Sequence, residues 1–202
     1  METTVVSSEF DIFAPRPVHS SVLETGVDQK EFDFLVTVDN DTYIDTNINL
    51  FVHGKLTDVN GADLNPSDFT GVTNSLLHSL FGQCTIALNG ETVTPAVDYY
   101  NNRAFFETIL TYASDAAVSH LTNGFWYLDD GDLLPCDPTG EDVKNMGFVE
   151  RWNKVKRSKE VQLYSRIHSD ICNMPRFLPP CVRIQIRLTK AKSAFYLTYK
   201  DM

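Results

Sequence analysis

Any chemistry in this chain would have to come from its histidines, cysteines and acidic clusters, and their spacing restricts what they can do. His168-Ser169-Asp170 has the His-x-Asp spacing found in the two-histidine, one-carboxylate iron site. That site is closed by a second histidine downstream. His168 is the last of five, after His19, His53, His78 and His120. A zinc site from His168, Cys172 and Cys181 has suitable ligand types, but the eight-residue gap between the cysteines and the lack of Cys-x-x-Cys favour ordinary thiols. Two acidic clusters, Asp39/Asp41/Asp45 and Asp129/Asp130/Asp132 beside Gly131, offer oxygen ligands for calcium. Neither has EF-hand spacing, and acidic turns are usually solvated. Gly-x-Ser-x-Gly, His-Glu-x-x-His and the P-loop are all missing from the sequence. The expectation is therefore no enzyme, with no catalytic, cofactor-binding or metal residues.

The basic run Arg151, Lys154, Lys156, Arg157 and Lys159, with Trp152 inside it, could grip phosphates. A net charge of -10 argues against a general nucleic-acid binder. The charge is unevenly spread: residues 1–150 carry a net -19 and residues 151–202 a net +9. Acidic early strands lying beside basic late ones would account for that, and so would a surface dipole orienting subunits. The four cysteines, Cys84, Cys136, Cys172 and Cys181, are read as thiols. The start Met1-Glu2-Thr3-Thr4-Val5-Val6 has no signal-peptide character, so an intracellular, non-secreted protein is expected. That makes the Asn40-Asp41-Thr42 sequon uninformative. No apolar run approaches the roughly 20 residues of a membrane helix.

The elements that must position these residues are mostly strands. Phe32, Phe34, Val36 and Val38 alternate with Glu31, Asp33, Leu35 and Thr37, and Ile48, Leu50 and Val52 repeat the pattern. Val182, Ile184, Ile186 and Leu188 alternate with Arg183, Gln185 and Arg187, and Val161 and Leu163 alternate with Gln162 and Tyr164. A short final strand is expected at Phe195, Leu197 and Tyr199. Asn89-Gly90 is a hairpin turn, and Asn60-Gly61 ends another strand. Residues 73–81 suggest a short helix or packed loop. A helix over 99–113 carries an apolar stripe of Phe105, Phe106, Ile109, Leu110 and Ala113, followed by a short helix from Ser114 to about Leu121. Residues 1–30, with Pro15 and Pro17, read as an extended arm. Residues 31–202 read as a single domain with a helical insertion at about 99–121 and a long loop at about 123–157. Strands at both ends without a βαβ rhythm predict a mainly β, antiparallel jelly-roll β-sandwich.

Several segments carry a resemblance. They begin with Glu9-Phe10-Asp11-Ile12-Phe13, Tyr43-Ile44-Asp45, Leu50-Phe51-Val52 and Gly61-Ala62-Asp63-Leu64. Asn74-Ser75-Leu76-Leu77-His78-Ser79-Leu80-Phe81, Leu88-Asn89-Gly90 and the stretch from Tyr99 to Leu110 follow. Ser119-His120-Leu121-Thr122, Trp126-Tyr127, Ser158-Lys159-Glu160-Val161, Arg166-Ile167-His168-Ser169-Asp170 and Arg176-Phe177-Leu178 complete the order. In order and spacing the chain resembles the hexon-like major capsid proteins of Polinton (Maverick) transposable elements and adintoviruses.

The resemblance implies two tandem jelly rolls per subunit, with three subunits forming a pseudo-hexagonal capsomer. This chain corresponds to the first roll. The implied function is a structural capsid protein, or a capsid-derived subunit, found in the virion. Its implied partners are copies of itself (trimer or higher) and other capsid proteins such as a penton, with no membrane and no sequence-specific nucleic acid. His78 and Arg103 then need no catalytic account, and Arg103 and Glu107, four apart, can pair on one helix face. The alternative expectation is a calcium-dependent carbohydrate- or ligand-binding jelly-roll module, with Trp126, Tyr127 and Trp152 stacking on sugars.

Overall fold

Alternation of apolar and polar side chains is converted directly into burial in an early and a late strand of the expected domain. The computed structural model describes residues 4–13, 30–37, 43–58, 60–66, 69–94, 99–131, 138 and 145–198. In β2 (Glu31–Val36), Phe32, Phe34 and Val36 point inward while Glu31, Asp33 and Leu35 face out. It pairs antiparallel with β8 (Ile184–Lys190), Phe34 opposite Ile186. β8 is flanked on its other edge by β5 (Phe81–Leu88), and Ile184, Ile186 and Leu188 are fully buried. Each such side chain contributes roughly 1.5–3 kcal/mol of hydrophobic stabilisation. A two-residue turn, with Asn89 and Gly90 both at positive φ, returns β5 into β6 (Glu91–Thr92). The order of this four-stranded sheet is β2-β8-β5-β6.

A second sheet has the order β1-β3-β7 and is also antiparallel. β3 (Asn49–Thr57) lies between β1 (Thr4–Phe13) and β7 (Val161–Arg166). Leu50, Val52 and Leu56 of β3 and Leu163 of β7 join the inward residues of the first sheet in one core. β4 (Gly71–Val72) and β9 (Leu197–Thr198) form a separate short pair. Antiparallel sheets sharing a core are compatible with a β-sandwich. Helical and strand residues are nearly equal in number, so the expected mainly β chain is a mixed one.

The described residues also form five α-helices, α1 (Leu76–Ser79), α2 (Tyr100–Thr111), α3 (Ser114–Ala117), α4 (Met146–Val155) and α5 (Ser193–Tyr196), and a 3-10 turn at Lys156–Ser158 extends α4. A 3-10 turn at His120–Gly124 follows α3.

Four expectations need correction. Thr4–Phe13, read as part of an irregular arm, is a strand in register with β3, because backbone pairing along β3 satisfies its amides. Phe195, read as a strand residue, belongs to the helical turn α5. The stretch 123–157, read as a loop, contains the ten-residue helix α4, capped by the Asn145 side chain accepting from the Phe148 N–H. The apolar stripe of α2 does not face the core. Tyr100, Asn101, Ala104 and Thr108 do, while Phe106, Ile109 and Leu110 lie exposed.

Candidate functional site

The densest group of polar side chains forms where α2 meets α1 and the turn after β7. His78 lies on α1, and its Nδ1 is 3.0 Å from the Tyr100 hydroxyl at the start of α2. The His78 and His168 rings meet edge to face with centroids 4.7 Å apart. His168 Nδ1 donates to Glu107 Oε2 at 2.8 Å. Glu107 Oε1 accepts from Arg103 Nε at 2.6 Å, one helical turn away. The Arg103 guanidinium also grips Asp170, with Nη2 to Oδ1 at 2.6 Å and Nη1 to Oδ2 at 3.4 Å. Asn173 Nδ2 adds a bond to Glu107 Oε2 at 3.4 Å.

This geometry fixes the hydrogens. A carboxylate only accepts, so His168 carries its proton on Nδ1. The His168 backbone bonds the Tyr100 oxygen, so the phenol donates its own proton to His78 Nδ1, which acts as the acceptor. Burial holds His78 well below its ordinary pKa, and neighbouring His168 adds to the effect. Burial also lowers His168, against the opposing pull of Glu107. Burial pushes the Glu107 carboxyl up, yet hydrogen bonds from His168 and Arg103 leave it below its usual range. The hydrogen bond from Arg103 lowers Asp170. Burial thus favours the neutral form of both histidines, beside a paired Arg–carboxylate network.

This cluster is internally paired. Its carboxylates and its arginine are used on each other. The nearby thiols are poor nucleophiles, since burial pushes Cys84 up to about 12 and Cys172 up to about 11. His168 and Asp170, which share the His-x-Asp spacing, turn to different partners, Glu107 and Arg103. Cys172 is buried and Cys181 exposed, and the two do not form a metal-holding group with His168. Among the described residues, no group of three or more His, Cys, Asp or Glu side chains is placed to hold a metal ion.

A second cluster lies around Arg151, which is fully buried on α4. Its guanidinium donates to the Val72 carbonyl at 2.9 Å, to the Tyr127 carbonyl, and to Asp129 Oδ1 at 2.5 Å. Asp129 also accepts from Asn145 Nδ2 at 2.9 Å, and Asp130 accepts from the Met146 N–H at 2.7 Å. These acidic residues therefore clamp α4 onto residues 126–131. Asp45 accepts from the Asn47 N–H at 2.9 Å. Asp39, Asp41 and Asp132 lie outside the described residues, as does Asn40 of the sequon.

Of the remaining basic run, Lys156 and Arg157 line one pocket with Trp152, Asn65 and Pro66. Lys154 sits 5.6 Å from the centre of the Tyr127 ring and Lys156 4.6 Å from that of Trp152. Of the aromatics named for sugar stacking, Trp126 and Trp152 are buried, 4% and 7% exposed, and Tyr127 is half-buried. No protein-family model matches this chain, and no curated protein sequence matches it either. The site must be read from its own geometry.

Sequence reasoning singled out Arg103 with Glu107, and His168 with Asp170, as separate pairs. It did not join them, nor find Tyr100 or the buried role of Arg151. The spacings Arg103-x-x-x-Glu107 and His168-x-Asp170 mark each local pair and not their meeting.

Proposed function

We propose that this protein is a structural capsid or capsid-derived jelly-roll subunit that assembles with copies of itself, of the kind the hexon-like resemblance implies. The strand pairing supports the jelly-roll reading. Leaving aside β1 and the short β4–β9 pair, the first and last strands β2 and β8 pair in one sheet, and the next pair inward, β3 and β7, lies in the other. Rolling one long antiparallel ribbon on itself distributes its nested pairs between two sheets in this way.

The observation that carries the assembly reading is the apolar surface left uncovered on α2 and α3. Phe106, Ile109 and Leu110 recur at helical spacing on one face of α2 and are 61%, 47% and 83% exposed, and Val118 after α3 is 83% exposed. An uncovered face of large apolar residues, held in place by an internal salt-bridge network, marks a surface meant for another protein. The clamps around Glu107 and Arg151 have the corresponding role of keeping the insertion and α4 rigid on the body. No helix among the described residues is long and apolar enough to cross a membrane. The test is the solution mass of the chain across concentration, compared with Leu110→Glu. Concentration-dependent self-association weakened by the substitution supports this function, and a strict monomer at high concentration counts against it.

A further inference from the structure

Helix α2 has two working sides. One carries the uncovered face of Phe106, Ile109 and Leu110. The other carries Tyr100, Arg103 and Glu107, which fasten it to His78 and His168. The His78 end of the fastening depends on a neutral imidazole, whereas His168 keeps its bond to Glu107 in either state. His78 is buried on α1, and its Nδ1 serves as acceptor for the Tyr100 hydroxyl. Its ring abuts a second imidazole at 4.7 Å. We propose that the His78–His168 contact is an acid-sensitive latch: protonating the pair loosens α2 from the body and so alters the presentation of its exposed face.

The chemistry runs in one direction. A proton on His78 Nδ1 removes the acceptor from the Tyr100 O–H, and the resulting imidazolium faces another imidazole. The Glu107 carboxylate favours a charge on His168, so the two rings become like charges in contact. The groups around the pair do not cancel this. Helix α2 supplies Tyr100, Arg103 and Glu107, strand β5 supplies Cys84, strand β7 supplies Arg166, and the turn after it supplies Asp170, Cys172 and Asn173. Glu107 and Asp170 are the carboxylates among them; Arg103 pairs with both and Arg166 supplies the second positive charge, so no net negative charge is left over. The other elements against α1 bring Tyr196 and His120, and no hydrogen bond joins either to the two rings. Any effect on assembly rests on the proposed function, whereas the latch rests on the monomer alone.

Hydrogen exchange of the dilute full chain at pH 7.0 and 5.5, corrected for intrinsic rates, tests this. A histidine of ordinary pKa when exposed, and too low to titrate when docked, costs the docked state up to about eightfold over that interval. Amides of α2 are expected to lose several-fold protection, while those of β5 and β8 keep theirs. His78→Gln and, separately, His168→Asn should flatten the response. Tyr100→Phe, which keeps the ring packing, should weaken docking at both pH values. Unchanged α2 protection, loss shared equally with β5 and β8, or a response surviving in both histidine variants would overturn the latch. If α2 loosens but the chain never self-associates at any concentration, the latch stands and the proposed function fails.

Discussion

His168 and Glu107 stand 61 positions apart and meet at 2.8 Å through Nδ1 and Oε2, fastening the turn after β7 to helix α2. Glu107 is the hub of this network, since Arg103 and Asn173 also donate to it. Glu107→Gln keeps the shape and removes the charge. It should cost about 1 kcal/mol, because hydrogen bonds to charged groups are worth roughly 1.5–3 kcal/mol and solvent screens a partly exposed group. A lower urea midpoint at unchanged slope would register it.

The same carboxylates set the behaviour in acid. Glu107 and Asp170 are held below their ordinary values of 4.5 and 3.8. Their stabilisation is full above those values and is lost as pH falls through the lower, folded-state ones. The histidines act in a separate window. His78 is held neutral in the fold, so stability begins to fall as pH drops below its ordinary value of 6.5. Urea midpoints measured from pH 7.5 to 3 should therefore decline in two stages. The upper stage should be reduced in His78→Gln, with His168 supplying the remainder, and the lower one reduced in Glu107→Gln.

Arg151 is a different kind of tie. It is fully buried, and three acceptors depend on it. Arg151→Met would strand the partly buried Asp129 carboxylate and two carbonyls, a loss of about 3–5 kcal/mol. Lysine cannot reproduce the planar fork, so Arg151→Lys should restore only part of it. Thermal unfolding of both variants checks the order.

Gly147, one position into the same helix, admits no side chain. A Cβ there would overlap the Leu128 carbonyl oxygen, which is backbone and cannot swing aside. Gly147→Ala should cost about 1–3 kcal/mol through displacement of residues 126–131. Increased proteolysis within that segment would accompany the lower unfolding midpoint.

Asp129 and Asp130 already have partners in Arg151, Asn145 and the Met146 amide. Millimolar calcium is therefore expected to leave the thermal midpoint unchanged, and so is a chelator. A rise that grows with calcium concentration would revive the ligand-binding alternative.

The parts of the fold that were legible in the sequence are those in which one face is buried and the other wet. Phe32, Phe34 and Val36 and the Ile184–Leu188 series imposed a period of two that only a strand could use. Asn89-Gly90 required a tight turn. Helix α2 was legible in extent but not in orientation. Its most apolar face points outward, and the inner one is polar because Tyr100 bonds His78 and Thr108 bonds the Ala104 carbonyl. Helix α4 was hidden because its lead-in is rich in Gly, Pro and acids and its buried arginine reads as a surface charge. Of the site, the local pairs could be seen in the sequence. Joining residue 107 to 168 required knowing that α2 packs beside the turn after β7, and no short-range signal carries that.

The central claim is that the outward face of α2 exists to meet another copy, and sedimentation equilibrium of the full chain tests it most directly. The account predicts a mass that rises with concentration to a closed oligomer, and a shift toward monomer in Leu110→Glu with the fold intact by circular dichroism. A chain that stays monomeric throughout, or an oligomer indifferent to Leu110→Glu and Phe106→Glu alike, would contradict it.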